Sequence, residues 1–451
     1  MTVQKETLRQ ALLNRRMLIC AFSGFSSGLP LFILITLLPA WLKSEGVDLK
    51  SIGLFALIQL PFTWKFLWSP LLDRYTLPLL GRRRGWMLTF QTLLLLTIPG
   101  FGWMHPQEVL HAVHSPLWLH DWLSAFFAGS KVMQPLLHLW GIAWLALALA
   151  FWGASQDIVL DAFRREILPE AELGLGNSIY VNAYRIAGLV PGSLSLILSD
   201  HTGWDNVFLV TGLFMLPGMA MTLFASEPPT LHPPRSLRDS VVLPFQDFFR
   251  QHGAQALLIL GFLFLYKLGD SMATALATPF YLEMGFSKTV IGSVVKMAGL
   301  WCSVVGGLLG GVWMLKLGIN RALWLFGLVQ LLSILGFGWL AGLGHAAGKT
   351  DLALVVGMEA FGVGLGTAAF VAYMARCTNP LYTATQLALF TSLAALPRTV
   401  VNASTGFLVD ALGWQGFFVL CYVLAIPGML LLMQVAPWQE NTEKDIAGTV
   451  Q

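Results

Sequence analysis

The amino-acid sequence predicts an all-α polytopic membrane protein in which twelve transmembrane helices form two pseudo-symmetric halves of six helices each. The chain of 451 residues is 56% hydrophobic and 11% charged, whereas a water-soluble domain carries about 25% charged residues. Uncharged stretches such as Met17–Trp41 are longer than the roughly 20 residues that a helix needs to cross the hydrocarbon core. The chain also repeats a pattern of residues in its two halves, as transporters built from duplicated halves do.

Hydropathy along the chain places the spans and the linker between the halves. The segment 226–253 contains no hydrophobic span, and its proline pairs Pro228-Pro229 and Pro233-Pro234 oppose a continuous helix. We therefore predict an N-terminal half over 1–225, a cytoplasmic linker over 226–253 and a C-terminal half over 254–451. The predicted spans are residues 17–42, 51–72, 86–104, 138–160, 176–199, 206–225, 254–282, 288–314, 322–343, 352–375, 384–408 and 416–436.

The ends of the two halves carry the same residues at a constant separation of 210 positions. Chance explains one such match more readily than seven at a single offset, so we interpret them as traces of a duplicated half. The matches pair Asp200, Gly203, Trp204, Phe208 and Pro217-Gly218-Met219 with Asp410, Gly413, Trp414, Phe418 and Pro427-Gly428-Met429. A weaker echo pairs Pro39, Trp41-Leu42 and Gly46 with Pro279, Tyr281-Leu282 and Gly285.

The distribution of basic residues predicts the orientation in the membrane. If the N-terminus is cytoplasmic, the loops on that face hold 17 of the 27 Lys and Arg residues, and the opposite loops hold 5. Because cytoplasmic loops carry the excess of positive charge, we predict a multi-pass protein of the bacterial inner membrane with both termini in the cytoplasm. The net charge of +3 gives no indication of a nucleic-acid partner, and we expect none.

Eight ionisable side chains lie inside the predicted spans. Each costs about 2.5–3.5 kcal/mol on insertion scales and therefore needs a partner or a water-filled cavity. Five are cations and three are acids, and this surplus of positive charge indicates a cavity for an anionic substrate. They are Lys65, Asp157, Arg185, Lys267, Asp270, Lys296, Glu359 and Arg398.

The predicted substrate ligands are the five cations together with Gln156. Arg185 and Arg398 lie in the fifth and eleventh spans, which correspond in the two halves, and a guanidinium suits two-point binding of a carboxylate or phosphate. Gln156 lies near the inner end of the fourth span, and its amide both donates and accepts, as a sugar hydroxyl or an amide requires. The other cations in the set are Lys65, Lys267 and Lys296.

The three acids are the candidates for a proton-coupling group. Asp270 ranks first because Lys267, three residues earlier on the same helix face, offers a competing counter-ion. Simple mutual neutralisation explains this pair of charges equally well. Glu359 ranks second because it stands in an otherwise apolar stretch, and Asp157 ranks third because membership of the cytoplasmic gate is an alternative role for it.

A further motif lies between the second and third predicted spans and places one acid among several guanidinium groups. We predict a cytoplasmic gate in which Asp73 meets the positive N-terminal end of the eleventh span near Thr383–Thr385, and in which Arg82 or Arg83 pairs with Asp161. The alternative is a set of topology anchors that follow the positive-inside rule, and we favour it for Arg84. The gate candidates are Asp73, Arg74, Gly81, Arg82, Arg83 and Asp161.

The segment His105–Gln134 joins the third and fourth spans and is far longer than neighbouring connections. Its Trp118 and Trp122 favour a short amphipathic helix on the outer membrane surface. Its histidines, at positions 105, 111, 114 and 120, raise the alternative of a metal site. No two of them are four residues apart with a carboxylate companion, so we expect no metal and no cofactor.

A set of motifs, concentrated in the first half, is more specific than any single loop motif. The segments are Gly24–Leu31, Ile52–Phe55, Lys65–Tyr75, Gly81–Trp86, Ser155–Ala162, Ile167–Pro169 and Tyr184-Arg185. Together they resemble the AmpG-type muropeptide permeases of the major facilitator superfamily. The resemblance covers the first half well and extends to the second half in general layout.

The resemblance implies a proton-driven permease that works by alternating access. Its implied cargo is a cell-wall breakdown product, N-acetylglucosaminyl-1,6-anhydro-N-acetylmuramic acid with or without its stem peptide, imported from the periplasm into the cytoplasm. It also implies a monomer that acts in peptidoglycan recycling and β-lactamase induction. A permease for another anionic solute such as acetyl-CoA, or a non-transporting sensor, is the alternative.

A polytopic membrane enzyme is a different class of protein with this composition. The spans contain no HExxH motif, no phosphate-binding P-loop and no Ser/His/Asp constellation. We therefore predict a transporter and not an enzyme.

Overall fold

The computed structural model describes residues 14–47, 58–77, 80–104, 140–228, 237–287, 290–379 and 381–438. Within these ranges the chain is dominated by helices, and eight of them are long and apolar enough to cross a membrane. One of the eight, Ser293–Ala346, contains two spans, and other helices supply the second, third and eleventh, so that each of the twelve predicted spans has a helical counterpart. The predicted fold class is confirmed.

Proline accounts for several of the breaks in the first six spans. Pro39, Pro61, Pro70, Pro191 and Pro217 each occupy the first turn of a new helical segment, where the missing N–H group is not needed for the helix. The first span comprises Arg15–Phe32, Ile33–Leu37 and Leu38–Ser44; the second comprises Leu60–Trp64, Lys65–Leu67 and Ser69–Arg74; the third is Arg82–Gly100; the fourth is Trp140–Ile167; the fifth comprises Glu170–Glu172, Leu173–Ala187, Val190–Leu194 and Ser195–Ser199; and the sixth comprises Trp204–Leu213 and Leu216–Phe224.

Glycine separates spans that otherwise run together in the second half. Gly318 and Gly413 have φ angles of 74° and 66°, a left-handed conformation that glycine adopts without the steric cost of a Cβ atom. The seventh span comprises Gln255–Leu265, Leu268–Ala275 and Ala277–Glu283; the eighth and ninth comprise Ile291–Val295 and Lys296–Leu343, divided at Gly318; the tenth is Lys349–Arg376; the eleventh comprises Thr383–Val400 and Val401–Ser404; and the twelfth follows Gly413 within Thr405–Val435.

The structure divides into two compact units. The start of the fifth span groups with the second unit, and the remainder of that span groups with the first. The predicted halves follow chain order instead, so they stay a prediction. Over its described residues, unit 1 comprises Met1–Glu166 and Ala183–Leu237, and unit 2 comprises Ile167–Asn182 and Arg238–Gln451.

A cluster of aromatic rings joins the first, third and sixth spans in unit 1. The ring of Phe208 lies edge-on to Trp41, with centroids 5.1 Å apart, and stacks on Phe101 at 5.4 Å. Trp204, one helical turn before Phe208, adds a further ring at 6.1 Å. These distances are those of favourable aromatic pairs, and the three rings of Trp41, Phe101 and Phe208 are almost fully buried.

Unit 2 contains the same cluster, built from the seventh, ninth and twelfth spans. Phe418 lies 210 positions after Phe208. Its ring is edge-on to Phe280 at 4.9 Å, stacks on Phe337 at 5.3 Å and lies 6.0 Å from Trp414. The repeated pairs Trp204/Trp414 and Phe208/Phe418 therefore occupy the centre of an aromatic cluster in each unit, although Phe280, and not Tyr281, takes the place of Trp41 in unit 2.

The weaker echo in the sequence is a repeated helix ending. Gly46 and Gly285 have φ angles of 84° and 87°. In both cases the residue after the glycine donates its backbone N–H group to the carbonyl five residues earlier, at 2.9 and 3.2 Å. This is the Schellman ending, which requires a left-handed residue and favours glycine.

The predicted linker contains a helix that the hydropathy pattern did not indicate. It spans Leu237–His252 and includes Pro244. Within unit 2 it packs on the eleventh span, where the rings of Phe248 and Phe390 are 5.2 Å apart and Gln386 donates to the Pro244 carbonyl at 3.0 Å. Amphipathic spacing of its aromatic residues, rather than mean hydropathy, makes this segment a helix.

We predict that Phe208→Ala and Phe418→Ala each destabilise the protein by about 3–5 kcal/mol, because each removes a buried ring and leaves a cavity. Thermal unfolding of the purified protein in detergent measures the effect as a lowered midpoint. Val419→Ala is the matched control, because Val419 neighbours Phe418 but is 55% exposed. Equal midpoints for Phe418→Ala and Val419→Ala contradict the role assigned to the aromatic cluster.

Candidate substrate and coupling site

Lys65 lies in a cluster of charged side chains in unit 1 whose charges cancel. Its ammonium group donates to Asp157 and lies 3.8 Å from an Asp161 carboxylate oxygen. Ser27 donates to the other oxygen of Asp157 at 2.6 Å, and Arg164 pairs with Asp161 at 2.8 Å. A predicted substrate ligand and a predicted coupling acid thus contact each other, and two cations offset two acids. The charge of Lys65 does not add to a surplus.

Gln156 is fully buried and bonded to the first span. Its amide nitrogen donates to the Ser26 carbonyl at 2.8 Å and to the Ser26 hydroxyl at 3.1 Å. Its amide oxygen is buried and has no hydrogen-bond partner in the described part of the chain. Gln91, which sequence reasoning missed, donates to the same hydroxyl at 3.5 Å and accepts from Thr222 at 2.9 Å. The Gln156 oxygen is therefore an acceptor suited to a hydroxyl or amide N–H group.

Arg185 is half-buried in the last turn of its helix in unit 1. The neighbouring Tyr184 packs its ring against Phe32 of the first span, with centroids 5.6 Å apart. A Cβ atom on Gly28 would meet the Tyr184 backbone, so the first and fifth spans approach each other backbone to backbone beside Arg185. This close packing holds the base of the Arg185 side chain in place.

Two predicted substrate ligands are placed by their backbones alone. Arg398 lies in the helix Thr383–Val400, and Lys296 begins the helix Lys296–Leu343. Their side chains lie outside the described part of the structure. Their roles as ligands stay predictions.

Lys267 and Asp270 pair within unit 2 as their spacing predicts. The ammonium nitrogen lies 3.5 Å from an Asp270 carboxylate oxygen and donates to the side-chain oxygen of Gln330 at 3.2 Å. A Cβ atom on Gly366 would collide with the Gln330 amide, so close approach of the tenth span sets the position of that side chain. Gln330 lies 63 residues from Lys267, and only the fold brings them together.

Asp270 and Gln330 also face a small cavity of about 10 Å³. Because an ammonium group can only donate, the bond from Lys267 fixes which end of the Gln330 amide is oxygen. The amide nitrogen of Gln330 and the second carboxylate oxygen of Asp270 are buried and have no hydrogen-bond partner among the described residues. Asp270 therefore has one oxygen facing Lys267 and one without a partner among the described residues.

Glu359 is 9% exposed in the middle of the tenth span, Lys349–Arg376, in unit 2. Its burial agrees with the apolar sequence around it. It stays a predicted coupling acid.

The predicted gate motif forms a compact ion cluster in unit 1. Arg83 is fully buried and pairs with Asp73 at 2.8 Å and with Glu166 at 2.6 Å. Arg82 also pairs with Glu166, at 3.2 Å. These four residues, which we call the loop cluster, join the second, third and fourth spans. Within the cluster, Asp73 pairs with Arg83 of the same sequence motif. The predicted contact of Asp73 with the eleventh span stays a prediction.

The predicted pairing of Arg82 or Arg83 with Asp161 is wrong. Glu166 takes that place, because it lies more than one turn further along the fourth span, level with the start of the third. Asp161 lies deeper and pairs instead with Arg164 and Lys65. Glu166 was missed by sequence reasoning because nothing in the local pattern distinguishes it from a solvated acid at a helix end.

The remaining gate candidates have separate structural explanations. The guanidinium of Arg74 lies 5.3 Å from the centroid of the Tyr75 ring, a cation–π contact. Gly81 has a φ angle of 93°, and a Cβ atom there would lie 2.8 Å from the Glu227 side chain. Glycine at position 81 is therefore required by the turn and by the approach of Glu227.

Glu227 is a further residue that sequence reasoning missed. Its carboxylate accepts the backbone N–H groups of Arg83 and Arg84 at 2.7 and 3.0 Å, which satisfies the positive end of the third-span helix. Arg84 in turn donates to the carbonyls of Thr222 and Leu223 at 2.9 and 2.7 Å. Arg84 thus caps the C-terminal end of the sixth span in addition to any effect on topology.

In unit 2, the position that corresponds to Glu166 carries a different charge. The position 210 residues after Glu166 is Arg376, which donates to the Asn320 side chain. Arg321 donates to the Trp438 carbonyl at 3.4 Å, as Arg84 does to carbonyls in unit 1. One arginine–asparagine hydrogen bond here occupies the place of the ion cluster in unit 1.

The histidine-rich segment 105–134 lies outside the described residues. Within the ranges that the structure does describe, no group of three His, Cys, Asp or Glu side chains is placed to hold a metal ion.

Comparison with known sequences gives three consistent findings. The model of the Major Facilitator Superfamily matches residues 20–401. A Haemophilus influenzae protein of uncharacterized function is 49% identical, over 97% of this chain and 98% of its own. The anhydromuropeptide permease of Escherichia coli K12 is 38% identical, over 91% of this chain and 77% of its own.

Solved structures share the fold at low identity. A bacterial homologue of the iron transporter ferroportin, in an outward-facing state, matches with a TM-score of 0.65 and 15% identity, over 94% of this chain and 99% of its own. The proton:xylose symporter XylE matches with a TM-score of 0.63 and 12% identity, over 94% of each chain. At such identities the likeness concerns the fold alone.

We predict that Glu166→Gln destabilises the protein by about 3–5 kcal/mol, because it leaves Arg82 and Arg83 buried with one carboxylate fewer. The midpoint of thermal unfolding in detergent measures the loss. Glu170→Gln is the matched control, since Glu170 lies one turn further on and is exposed. A Glu166→Gln midpoint equal to that of the control removes the loop cluster from the stabilising contacts.

Proposed function

The chain belongs to the major facilitator superfamily and, within it, to the family of the anhydromuropeptide permeases, and from this premise we propose that it imports anhydromuropeptides across the bacterial inner membrane. The observation that carries the proposal is the identity to the E. coli permease along most of both chains. The protein is a multi-pass membrane transporter and not an enzyme.

The proposed cargo is N-acetylglucosaminyl-1,6-anhydro-N-acetylmuramic acid with or without its stem peptide, taken up for peptidoglycan recycling. Its hydroxyl and acetamide groups need hydrogen-bond partners, and the buried oxygen of Gln156 supplies an acceptor. Its carboxylates need cations, and Arg185 is half-buried in the fifth span, which packs against the first. Arg398 and Lys296 are proposed as further ligands from their place in the spans.

Lys65 has a different proposed task. Its contacts with Asp157 and Asp161 are those of a counter-ion that allows two acids to remain in the fourth span. Removing one partner from such a buried pair leaves an uncompensated charge. We therefore assign Lys65 to the internal charge balance of unit 1 rather than to the cargo.

A proton is the proposed driving ion, and Asp270 is its proposed carrier. Asp157 is held by Lys65 and Ser27, so it is poorly placed to change its protonation during a cycle. Asp270 has a longer contact with its cation, 3.5 Å, and lines the small cavity, and one of its oxygens is buried without a hydrogen-bond partner among the described residues. Protonation of Asp270 releases Lys267 to meet a negative charge on the cargo, and loss of the proton restores the pair. Glu359 is the second candidate.

We predict that proteoliposomes containing the purified protein exchange radiolabelled anhydro-disaccharide in a counterflow assay. An imposed gradient of one pH unit, acid outside, is worth about 1.4 kcal/mol per proton. It should therefore drive about tenfold accumulation of cargo.

Three results of the counterflow and accumulation experiments would contradict this proposal. Counterflow of acetyl-CoA in place of the anhydro-disaccharide identifies a permease for a different anion. If neither compound shows counterflow, and a thermal-unfolding measurement shows that the protein is folded, the result indicates a sensor. Accumulation that does not respond to a protonophore excludes the proton as the driving ion.

We predict that Asp270→Asn exchanges cargo in counterflow but no longer accumulates it under the pH gradient, because the amide cannot carry the proton. Asp410→Asn is the matched control, since Asp410 is an exposed acid in the same unit. Accumulation by Asp270→Asn at the level of the control removes Asp270 from coupling and makes Glu359→Gln the next variant.

A further inference from the structure

A groove runs between the first and sixth spans on unit 1. Its volume is about 440 Å³, within the range of small-molecule sites in proteins. One wall is the face of the first span that carries Leu18 and Phe22, and the other is the face of the sixth that carries Pro217, Ala220 and Phe224. The spacing of three and four residues places these side chains in a line along each helix.

The walls of the groove are apolar and open to the outside of the unit. Leu18 and Phe22 are 49% and 43% exposed, and Phe224 is 80% exposed. Exposed apolar side chains on a membrane-spanning helix face hydrocarbon rather than water. The body of the groove therefore suits an acyl chain.

One end of the groove is positively charged. Arg15 lines it there and donates one N–H group to the Phe224 carbonyl. Arg84 donates to the carbonyls of the same helix end, and Arg16 follows Arg15 in the sequence. Since a guanidinium carries five N–H donors, the bond to one carbonyl leaves Arg15 able to bind an anion.

The acid near this end is committed elsewhere. Glu227 accepts the backbone N–H groups of Arg83 and Arg84, so its carboxylate serves the helix of the third span. Among the described residues, positive charge therefore prevails where the groove ends, and a hydrocarbon tail joined to an anionic head complements both features.

We propose that this groove binds an anionic phospholipid, with one acyl chain between the first and sixth spans and the phosphate held by Arg15. Guanidinium groups suit phosphate oxygens, and basic pockets between transmembrane helices are recognised sites for anionic headgroups. The site is separate from the residues proposed for the cargo, and it does not depend on the proposed function.

Native mass spectrometry of the detergent-purified full chain tests the proposal by titration with phosphatidylglycerol and phosphatidylcholine that carry the same acyl chains. The wild-type protein should retain phosphatidylglycerol in preference. Arg15→Gln should weaken the binding of phosphatidylglycerol about fivefold and leave the binding of phosphatidylcholine unchanged, as expected for one cation at a membrane surface. Ala220→Trp keeps Arg15 but fills the groove, and it should weaken both lipids.

Arg321→Gln is the matched control, because Arg321 is exposed and donates to a backbone carbonyl in unit 2; it should leave the preference unchanged. Inorganic phosphate should not displace the lipid, since it lacks the acyl chain. Equal retention of the two lipids by the wild-type protein overturns the proposal. The proposal is also overturned if wild type and Arg15→Gln retain phosphatidylglycerol equally. Displacement of phosphatidylglycerol by inorganic phosphate overturns it too.

Discussion

A charge inside a membrane-spanning protein must be balanced within the protein, because hydrocarbon offers no hydrogen bonds and little dielectric screening. The described structure meets this constraint chiefly by ion pairs between spans. Lys65 is balanced by Asp157, and Arg83 is balanced by Asp73 and Glu166. These contacts join the second, third and fourth spans of unit 1. They also mean that counting charges in a composition overstates how many cations are available to a substrate.

The two units share one scaffold and differ in their polar groups. The aromatic cluster around Phe208 recurs around Phe418 with ring distances that agree within a few tenths of an ångström. At the corner between spans, however, the ion cluster of unit 1 becomes a hydrogen bond between Arg376 and Asn320. Apolar packing is thus a part of the repeat that both units keep, whereas the polar contacts at this position have diverged.

That divergence supports the proposal that Asp270 of unit 2, rather than Asp157 of unit 1, carries the proton. Unit 1 holds its acids in tight contacts with cations, which suits a rigid body that keeps Gln156 and Arg185 in position. Unit 2 holds Asp270 by a longer contact and leaves one of its oxygens without a hydrogen-bond partner among the described residues. A coupling acid needs two states of similar free energy, and a loosely held carboxylate provides them more easily than one in a tight pair.

The sequence by itself determined the number of spans, the duplication and the pairing of Lys267 with Asp270, because these depend on hydropathy and on spacing along one helix. The repetition of Gly46 at Gly285 was also visible in the sequence, but the left-handed helix endings at both positions came from the structure.

The tertiary structure decided which spans contact each other. Glu166 meets Arg83 across 83 residues, and Glu227 caps the same helix across 144. Gln330 reaches Lys267 across 63 residues, and the helix Leu237–His252 packs on the eleventh span. Hydropathy shows where a helix crosses the membrane, but the depth and rotation at which two helices meet depend on packing between them. That packing is the reason Glu166, and not Asp161, balances Arg83.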